Sequence, residues 1–262
     1  MTRARRLGML RVVLAGQFRG LLALVLCSLS SSCSGGTETG NPPFQAELSY
    51  TAYSSTPQLI GVRDPGSKAV VDSAWLDLDT VALVGAGRCG QADPEVLSVP
   101  ALGVGDHASG QHNATRFTLA AGEYCALDLP FVLAAEDQIQ GGVPADLARH
   151  SIMLAGSLAD GTPFSLLSAA TPTVRLAADA GGFEITAEQA QTLITFDVAV
   201  WLADLNWAEA TRVGGAISIS AADNSALLAQ FESNLARGVA LYRDADGDGK
   251  LDANALRLAH GE

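Results

Sequence analysis

Apolar and polar residues alternate with a period of two along most of the chain from Glu47 onward, which predicts β-strands rather than helices. The clearest alternating runs span 74–84, 125–133, 152–158 and 192–202. Asp77 and Asp79 fall on the opposite side of the first run from its apolar residues. We therefore expect a half-buried strand there, with both carboxylates facing solvent. Shorter strands are predicted around 48–53, 116–119, 173–176 and 216–220.

Turn and helix signals divide these runs. Pro130 cannot donate to a neighbouring strand, so it predicts an edge strand or a bulge. Asp160-Gly161 between two apolar runs predicts a hairpin turn. Thr186–Gln189 has the residue types of a capping box and predicts a short helix. A longer helix is predicted after Asp223, and we expect it to end at Gly238, a residue suited to a left-handed cap.

The N-terminal 32 residues have the three zones of an export signal. Five arginines lie within residues 1–20, and the apolar run 21–29 is too short to span a bilayer of about 30 Å. Ser30-Ser31-Ser32-Cys33 resembles the lipobox of bacterial lipoproteins, which are cut before the cysteine once it carries a lipid. The resemblance implies a signal peptide at 1–32 and a lipid such as palmitate on Cys33. An ordinary secretory signal cleaved nearby is the alternative.

Residues 34–43 are polar and rich in Gly and Pro, which predicts a flexible tether over 33–46. The segment Gly-Gly-Thr-Glu-Thr-Gly-Asn-Pro resembles the stretch after the lipidated cysteine in a group of uncharacterised bacterial envelope lipoproteins. Ser34 is not the aspartate that retains many lipoproteins at the inner membrane. The resemblance therefore implies the outer membrane, with the protein facing the periplasm or the cell surface.

The charge of the chain argues against a nucleic-acid partner. The formal net charge is -12, and removal of residues 1–32 takes away five arginines and no acidic residue, which leaves -17. A surface this negative repels phosphate backbones.

Cys89 and Cys125 are the two cysteines of the body of the chain, and in an oxidising compartment we expect them to form a disulfide bond.

The segment Asp244–Asp252 carries the sharpest chemical signal. Its pattern D-x-D-x-D-G-x-x-D resembles the nine-residue loop of integrin-type calcium hairpins and the first part of an EF-hand loop. The predicted ligands of one Ca²⁺ are the side chains of Asp244, Asp246, Asp248 and Asp252, with the backbone carbonyl of Lys250. Hard oxygen donors without Cys or His in the motif favour calcium over zinc.

Weaker patterns leave other functions open. Residues 85–90 match G-x-G-x-x-G, but the segment that follows reads as extended rather than as the helix that a dinucleotide site needs. The loop Asp106–His112 holds two of the four histidines and could form a small site. An exposed face of Trp75, Trp201 or Trp207 could bind carbohydrate, although core packing is the commoner role of such rings.

These patterns predict a mainly β protein, a β-sandwich with a small C-terminal helix and a calcium-loop appendage. The expected segments are the signal peptide 1–32, the tether 33–46, the sandwich 47–220 and the C-terminal helix, strand and loop at 221–262. Our leading hypothesis is a lipid-anchored, non-catalytic envelope protein, structural, adhesive or binding, with an envelope protein or polysaccharide as possible partner. The alternative is a carbohydrate-binding or hydrolytic protein with its site on the Asp106–His112 loop or a Trp face.

Overall fold

The structure, a computed structural model, describes residues 42–54, 60–61, 68–86, 96–100 and 102–261. Their strands, in chain order, are β1 (Phe44–Tyr53), β2 (Ile60–Gly61), β3 (Lys68–Leu78), β4 (Val81–Gly85), β5 (Val96–Val99), β6 (Gly103–Asp106), β7 (Asn113–Leu119), β8 (Gly122–Pro130), β9 (Ile152–Leu158), β10 (Pro163–Ser168), β11 (Thr173–Ala178), β12 (Phe183–Ile185), β13 (Gln191–Asp197), β14 (Arg212–Val213), β15 (Ala216–Ile219), β16 (Val239–Arg243) and β17 (Arg257–Gly261). The α-helices of the same ranges are α1 (Val198–Trp201) and α2 (Ser225–Asn234). Single 3-10 turns lie at Glu136–Gln138, Ala145–Leu147, Ala187–Gln189, Trp207–Glu209 and Ala236–Gly238.

The described strands form two sheets. The ten-stranded sheet has the order β5-β4-β8-β11-β17-β16-β13-β1-β7, with β12 also paired to β8. The seven-stranded sheet has the order β14-β15-β10-β9-β3-β2, with β6 also paired to β3. One continuous hydrophobic cluster contains side chains of both sheets, such as Ile194 and Phe196 from the first and Leu154 and Leu166 from the second. The prediction of a mainly β, sandwich-like fold is confirmed.

The run 74–84 is not one strand, as predicted, but parts of two. Its first half belongs to β3 in the seven-stranded sheet, and its second half forms β4 in the ten-stranded sheet. Asp79 is exposed in the connection between them. The expectation of a solvent-facing Asp77 was wrong, because its side chain is only 1% exposed. Both faces of β3 are covered at this point, and alternation alone does not reveal a covered second face.

Pro130 does not mark an edge strand. It is the last residue of β8, and β8 lies inside its sheet between β4 and β11. The carbonyl oxygen of Pro130 accepts a hydrogen bond from the amide of Asp79 at 3.1 Å. Pairing continues past the proline, because the amide of Phe131 donates to the carbonyl of Pro172 at 3.0 Å and Phe131 forms a bridge with Leu78. The predicted Asp160-Gly161 hairpin is present between β9 and β10, with Gly161 at φ 82°.

The run 192–202 changes from strand to helix at Asp197. The carboxylate of Asp197 accepts hydrogen bonds from the amides of Ala199 and Val200 at 3.0 and 3.4 Å, which caps α1. This turn buries Trp201, and its indole N–H donates to the carbonyl of Leu235 at 2.9 Å. The strand prediction missed the turn because the apolar residues of a buried one-turn helix continue the alternation.

Helix α2 lies where the sequence predicts it, but Gly238 serves a different purpose. Gly238 has no left-handed φ, and a Cβ at this position would overlap the indole Cδ1 of Trp201. Its lack of a side chain makes room for the ring. The predicted helix at Thr186–Gln189 is one 3-10 turn, Ala187–Gln189, without a side-chain cap bond.

The C-terminal segment 221–262 is not an appendage. Strands β16 and β17 lie within the ten-stranded sheet, between β13 and β11. Both pair on two sides, so the sheet would be cut in two without them. The loop 244–256 that joins them is therefore attached to the middle of the sheet, and its start is positioned by rigid strands.

Candidate metal centre

The acidic loop begins directly after β16, where the amide of Asp244 donates to the carbonyl of Gln191 at 3.2 Å. Asp244 is buried, and its carboxylate closes the loop by accepting the amides of Gly247 at 2.9 Å and Gly249 at 3.0 Å. These glycines have φ of 72° and 71°. The left-handed region strains residues with a Cβ, so the two glycines permit the tight turn, as the sequence predicts.

Three carboxylates converge in this loop. One oxygen from each of Asp244, Asp246 and Asp248 lies within 4.8 Å of the others, and the last two side chains are exposed. Asp252 is also exposed but does not belong to this close group. Whether Asp252 and the carbonyl of Lys250 act as ligands stays a prediction. Three carboxylate oxygens this close to one another suit a hard cation such as calcium.

The charges of the loop are unevenly compensated. Burial raises the pKa of Asp244, and the neighbouring charges of Asp246 and Asp248 raise it further, against the opposing effect of its amide donors. The backbone amide of Lys250 donates to Oδ1 of Asp248 at 2.8 Å, and the Lys250 ammonium group donates to Oδ2 at 3.1 Å. Both contacts lower the pKa of Asp248, the amide more than the ammonium group. Lys250 therefore supplies one positive charge, which does not neutralise three carboxylates.

The loop packs against two side chains from distant parts of the chain. A Cβ on Gly247 would overlap the amide group of Gln191, and one on Gly249 would press on the imidazole of His112. The structure thus brings together the acidic loop and one end of the Asp106–His112 loop, two candidates that the sequence treats separately. Their shared position depends on the pairing of β1 with β7 and β13, for which the sequence carries no local signal.

His112 takes part in a polar cluster on β1 that superficially resembles a catalytic triad. Its Nε2 lies 2.9 Å from Oγ of Ser49 and 3.1 Å from Oε1 of Glu47, and Oε2 of Glu47 lies 2.6 Å from Nε of Arg116. Ser49 and Glu47 thus both contact the same nitrogen of the His112 ring. In a triad the base contacts the nucleophile with one nitrogen and the orienting carboxylate with the other. The observed contacts do not have that arrangement.

His107 lies apart from this cluster, in the core. It is 2% exposed, and its ring lies between those of Tyr50 and Phe196, with centroid distances of 6.1 and 5.4 Å. Burial lowers its pKa to about 4, against the smaller opposing effects of the Tyr50 backbone and the Asp106 charge. The two histidines of the loop therefore have different environments, one between the sheets and one at the surface.

The other sequence candidates have the following places. Trp201 and Trp207 are buried and do not offer a surface to a polysaccharide, whereas Trp75 is half-buried.

Cys33 and Cys89 lie outside the described residues. Cys125 lies on β8, with its Sγ 3.7 Å from the carbonyl oxygens at 84 and 85, at the end of β4. Cys89 follows the end of β4 by four residues in the sequence. Because Cys89 is outside the described residues, its disulfide with Cys125 stays a prediction.

No protein-family model and no curated protein matches the sequence. Among solved structures, the chain is similar to MbnP from Methylosinus trichosporium, with a TM-score of 0.33 and 11% identity over 62% of this chain and 78% of that one. A likeness this distant transfers no property to this chain. Among the residues that the structure describes, no helix has the length and hydropathy to cross a bilayer.

Proposed function

We propose that the protein is a lipid-anchored, non-catalytic protein of the bacterial cell envelope whose C-terminal loop binds one calcium ion. The observation that supports the ion is the convergence of Asp244, Asp246 and Asp248 on a turn that two left-handed glycines permit. The ion would be held where β16 ends, beside Gln191 at the start of β13. A structural role fits this position, because the loop connects two interior strands of the larger sheet.

Calcium should stabilise the folded protein through these carboxylates. Without a cation, three close negative charges repel one another across the loop. A site of the extracellular kind binds calcium with a Kd of roughly 0.1 to 1 mM. At about 2 mM calcium the tighter end of that range adds about 1.8 kcal/mol to the free energy of unfolding.

Asp246→Asn is the variant that tests this site most cleanly. The only hydrogen bond that its carboxylate accepts within the loop is a long one, 3.4 Å from the amide of Asp248, whereas Asp244 closes the turn itself. We expect calcium affinity, measured by titration calorimetry, to fall at least about tenfold, because one charged ligand of few is lost. The fold should survive, as judged by circular dichroism.

Two controls separate binding from general charge effects. Asp223→Asn removes an equal charge at an exposed position outside the loop and should leave the calcium affinity unchanged. Magnesium at the same concentration should not raise the melting temperature, because it demands a smaller octahedral site. If the wild-type protein binds no calcium below about 10 mM and chelation leaves its melting curve unchanged, the loop is only an acidic turn.

The proposed anchor rests on the N-terminal pattern alone. We expect Cys33→Ser to move the protein from the membrane pellet to the soluble fraction, because a thioether-linked lipid cannot form on serine. Blocking the lipoprotein signal peptidase should leave the longer precursor, seen on a denaturing gel. Cys27→Ser is the matched control and should leave the protein in the membrane pellet. Full membrane retention of Cys33→Ser would contradict the anchor.

A further inference from the structure

His107 stands at a point where the two sheets are joined. Its amide donates to the carbonyl of Ala74 on β3, at 2.9 Å, and its carbonyl accepts the amide of Ala52 on β1, at 2.8 Å. Strand β3 belongs to the seven-stranded sheet and β1 to the ten-stranded one. One residue thus links both sheets through its backbone while its side chain fills the space between them.

The imidazole of His107 has no normal hydrogen-bond partner among the described residues. Both of its ring nitrogens are buried and unsatisfied, and so is the hydroxyl of the neighbouring Tyr50. A neutral imidazole tolerates such a place at a moderate cost, since it is partly apolar. An imidazolium does not, because a buried charge needs a partner.

The groups around the ring offer little to a positive charge. The ring of Phe196 from β13 is not ionisable, and the backbone of Tyr50 from β1 favours the charged imidazole only to a smaller extent than burial disfavours it. Asp106 is the one carboxylate whose charge acts on the ring. Its Oδ1 already accepts the amides of Ala74 and Ala108, both at 3.0 Å. This oxygen is therefore already bound by the backbone.

We propose that His107 is an acid-sensitive clasp, so that protonation of its imidazole withdraws the ring from between the sheets and releases segment 107–112 from β1 and β3. In the open state the imidazolium reaches water, and its pKa returns toward the ordinary value of about 6.5. Because the closed state binds a proton more weakly than the open state, acidification through this range favours opening. The proposed calcium ligands do not touch His107, but the released segment ends at His112, which packs against Gly249 of the acidic loop.

Hydrogen exchange of the full chain, followed by mass spectrometry at pH 7.0 and 4.5 and corrected for the intrinsic pH dependence, tests the clasp. With a closed-state pKa of about 4, the opening equilibrium should rise about 50-fold between these pH values. The increase should appear in peptides that contain the amides of Ala52 and His107. Peptides of β9 should keep their protection. Equal loss of protection in β9 would mean global unfolding and would overturn the proposal.

Two variants and one spectroscopic measurement complete the test. His107→Phe keeps a ring between Tyr50 and Phe196 but cannot titrate, so the acid-induced opening should vanish. His150→Gln removes a half-buried histidine elsewhere and should open as the wild type does. Opening of His107→Phe to the wild-type extent would refute the clasp. If His107→Phe does not fold, ring-proton NMR of the wild type decides, since a His107 midpoint near 6.5 in the folded protein is incompatible with it.

Discussion

Replacing Gly156 by alanine should lower the free energy of unfolding by about 3 kcal/mol and the melting temperature by roughly 6–12 °C. A Cβ on Gly156 would overlap the backbone carbonyl oxygen of Val70 and come within 3.0 Å of the ring of Phe164. The carbonyl belongs to β3, where the pairing with β9 shifts register between Val71 and Ser73. Backbone cannot rotate away as a flexible side chain can, so the strands must separate locally.

Gly122→Ala is the matched control for this prediction. Gly122 also lies in a strand and has no positive φ, but its Cβ would make only an ordinary contact, 3.5 Å from the hydroxyl of Tyr124. We expect a change within about 0.5 kcal/mol, as for most substitutions that disturb no packed feature. Thermal unfolding of both variants under the same conditions measures the difference. Equal melting temperatures would show that β3 can move aside where its pairing with β9 shifts register.

Asp77→Asn should stabilise the protein at pH 7 by about 2 kcal/mol, which corresponds to a rise of roughly 4–8 °C in melting temperature. Neither carboxylate oxygen of Asp77 has a normal hydrogen-bond partner among the described residues. Burial, with a smaller effect of the Asp79 charge and despite the amide of Leu78, raises the pKa of Asp77 to about 6. Asparagine keeps the shape of the side chain and removes the uncompensated charge.

The contribution of Asp77 to the free energy of unfolding depends on pH. The folded protein binds the Asp77 proton more tightly than the unfolded chain, so the associated stability is fully present below about pH 3.8 and is lost as the pH rises through about 6. The advantage of Asp77→Asn should therefore shrink toward zero between pH 7 and pH 4. Asp72→Asn, at an exposed position of the same strand, should show no such advantage. An unstable Asp77→Asn at pH 7 would mean that the carboxylate has a stabilising partner.

Buried His107 changes the free energy of unfolding with pH in the opposite direction to Asp77, over an overlapping pH range. Its folded pKa of about 4 lies below the ordinary value, so its contribution to stability is lost as the pH falls from about 6.5 toward 4. In the wild-type protein this loss and the gain from Asp77 partly cancel. The Asp77→Asn background should therefore show a steeper loss of stability on acidification than the wild type.

The local features of the fold could be predicted from the sequence. Apolar alternation predicts β9 and the body of β8, and Asp160-Gly161 predicts the hairpin, because side-chain period and turn chemistry act within a few residues. The spacing of aspartates and glycines in the acidic loop likewise predicts a turn with converging carboxylates, and the structure contains one.

The features that depend on contacts between distant segments were decided only by the tertiary structure. The run 74–84 reads as one strand, but its halves belong to different sheets, and Asp77 is buried because both faces of β3 are covered. His112 meets the acidic loop through the pairing of β1 with β7 and β13. Alternation shows which residues share a side of a strand. Which strands become neighbours, and what covers each face, depends on pairings far apart in sequence.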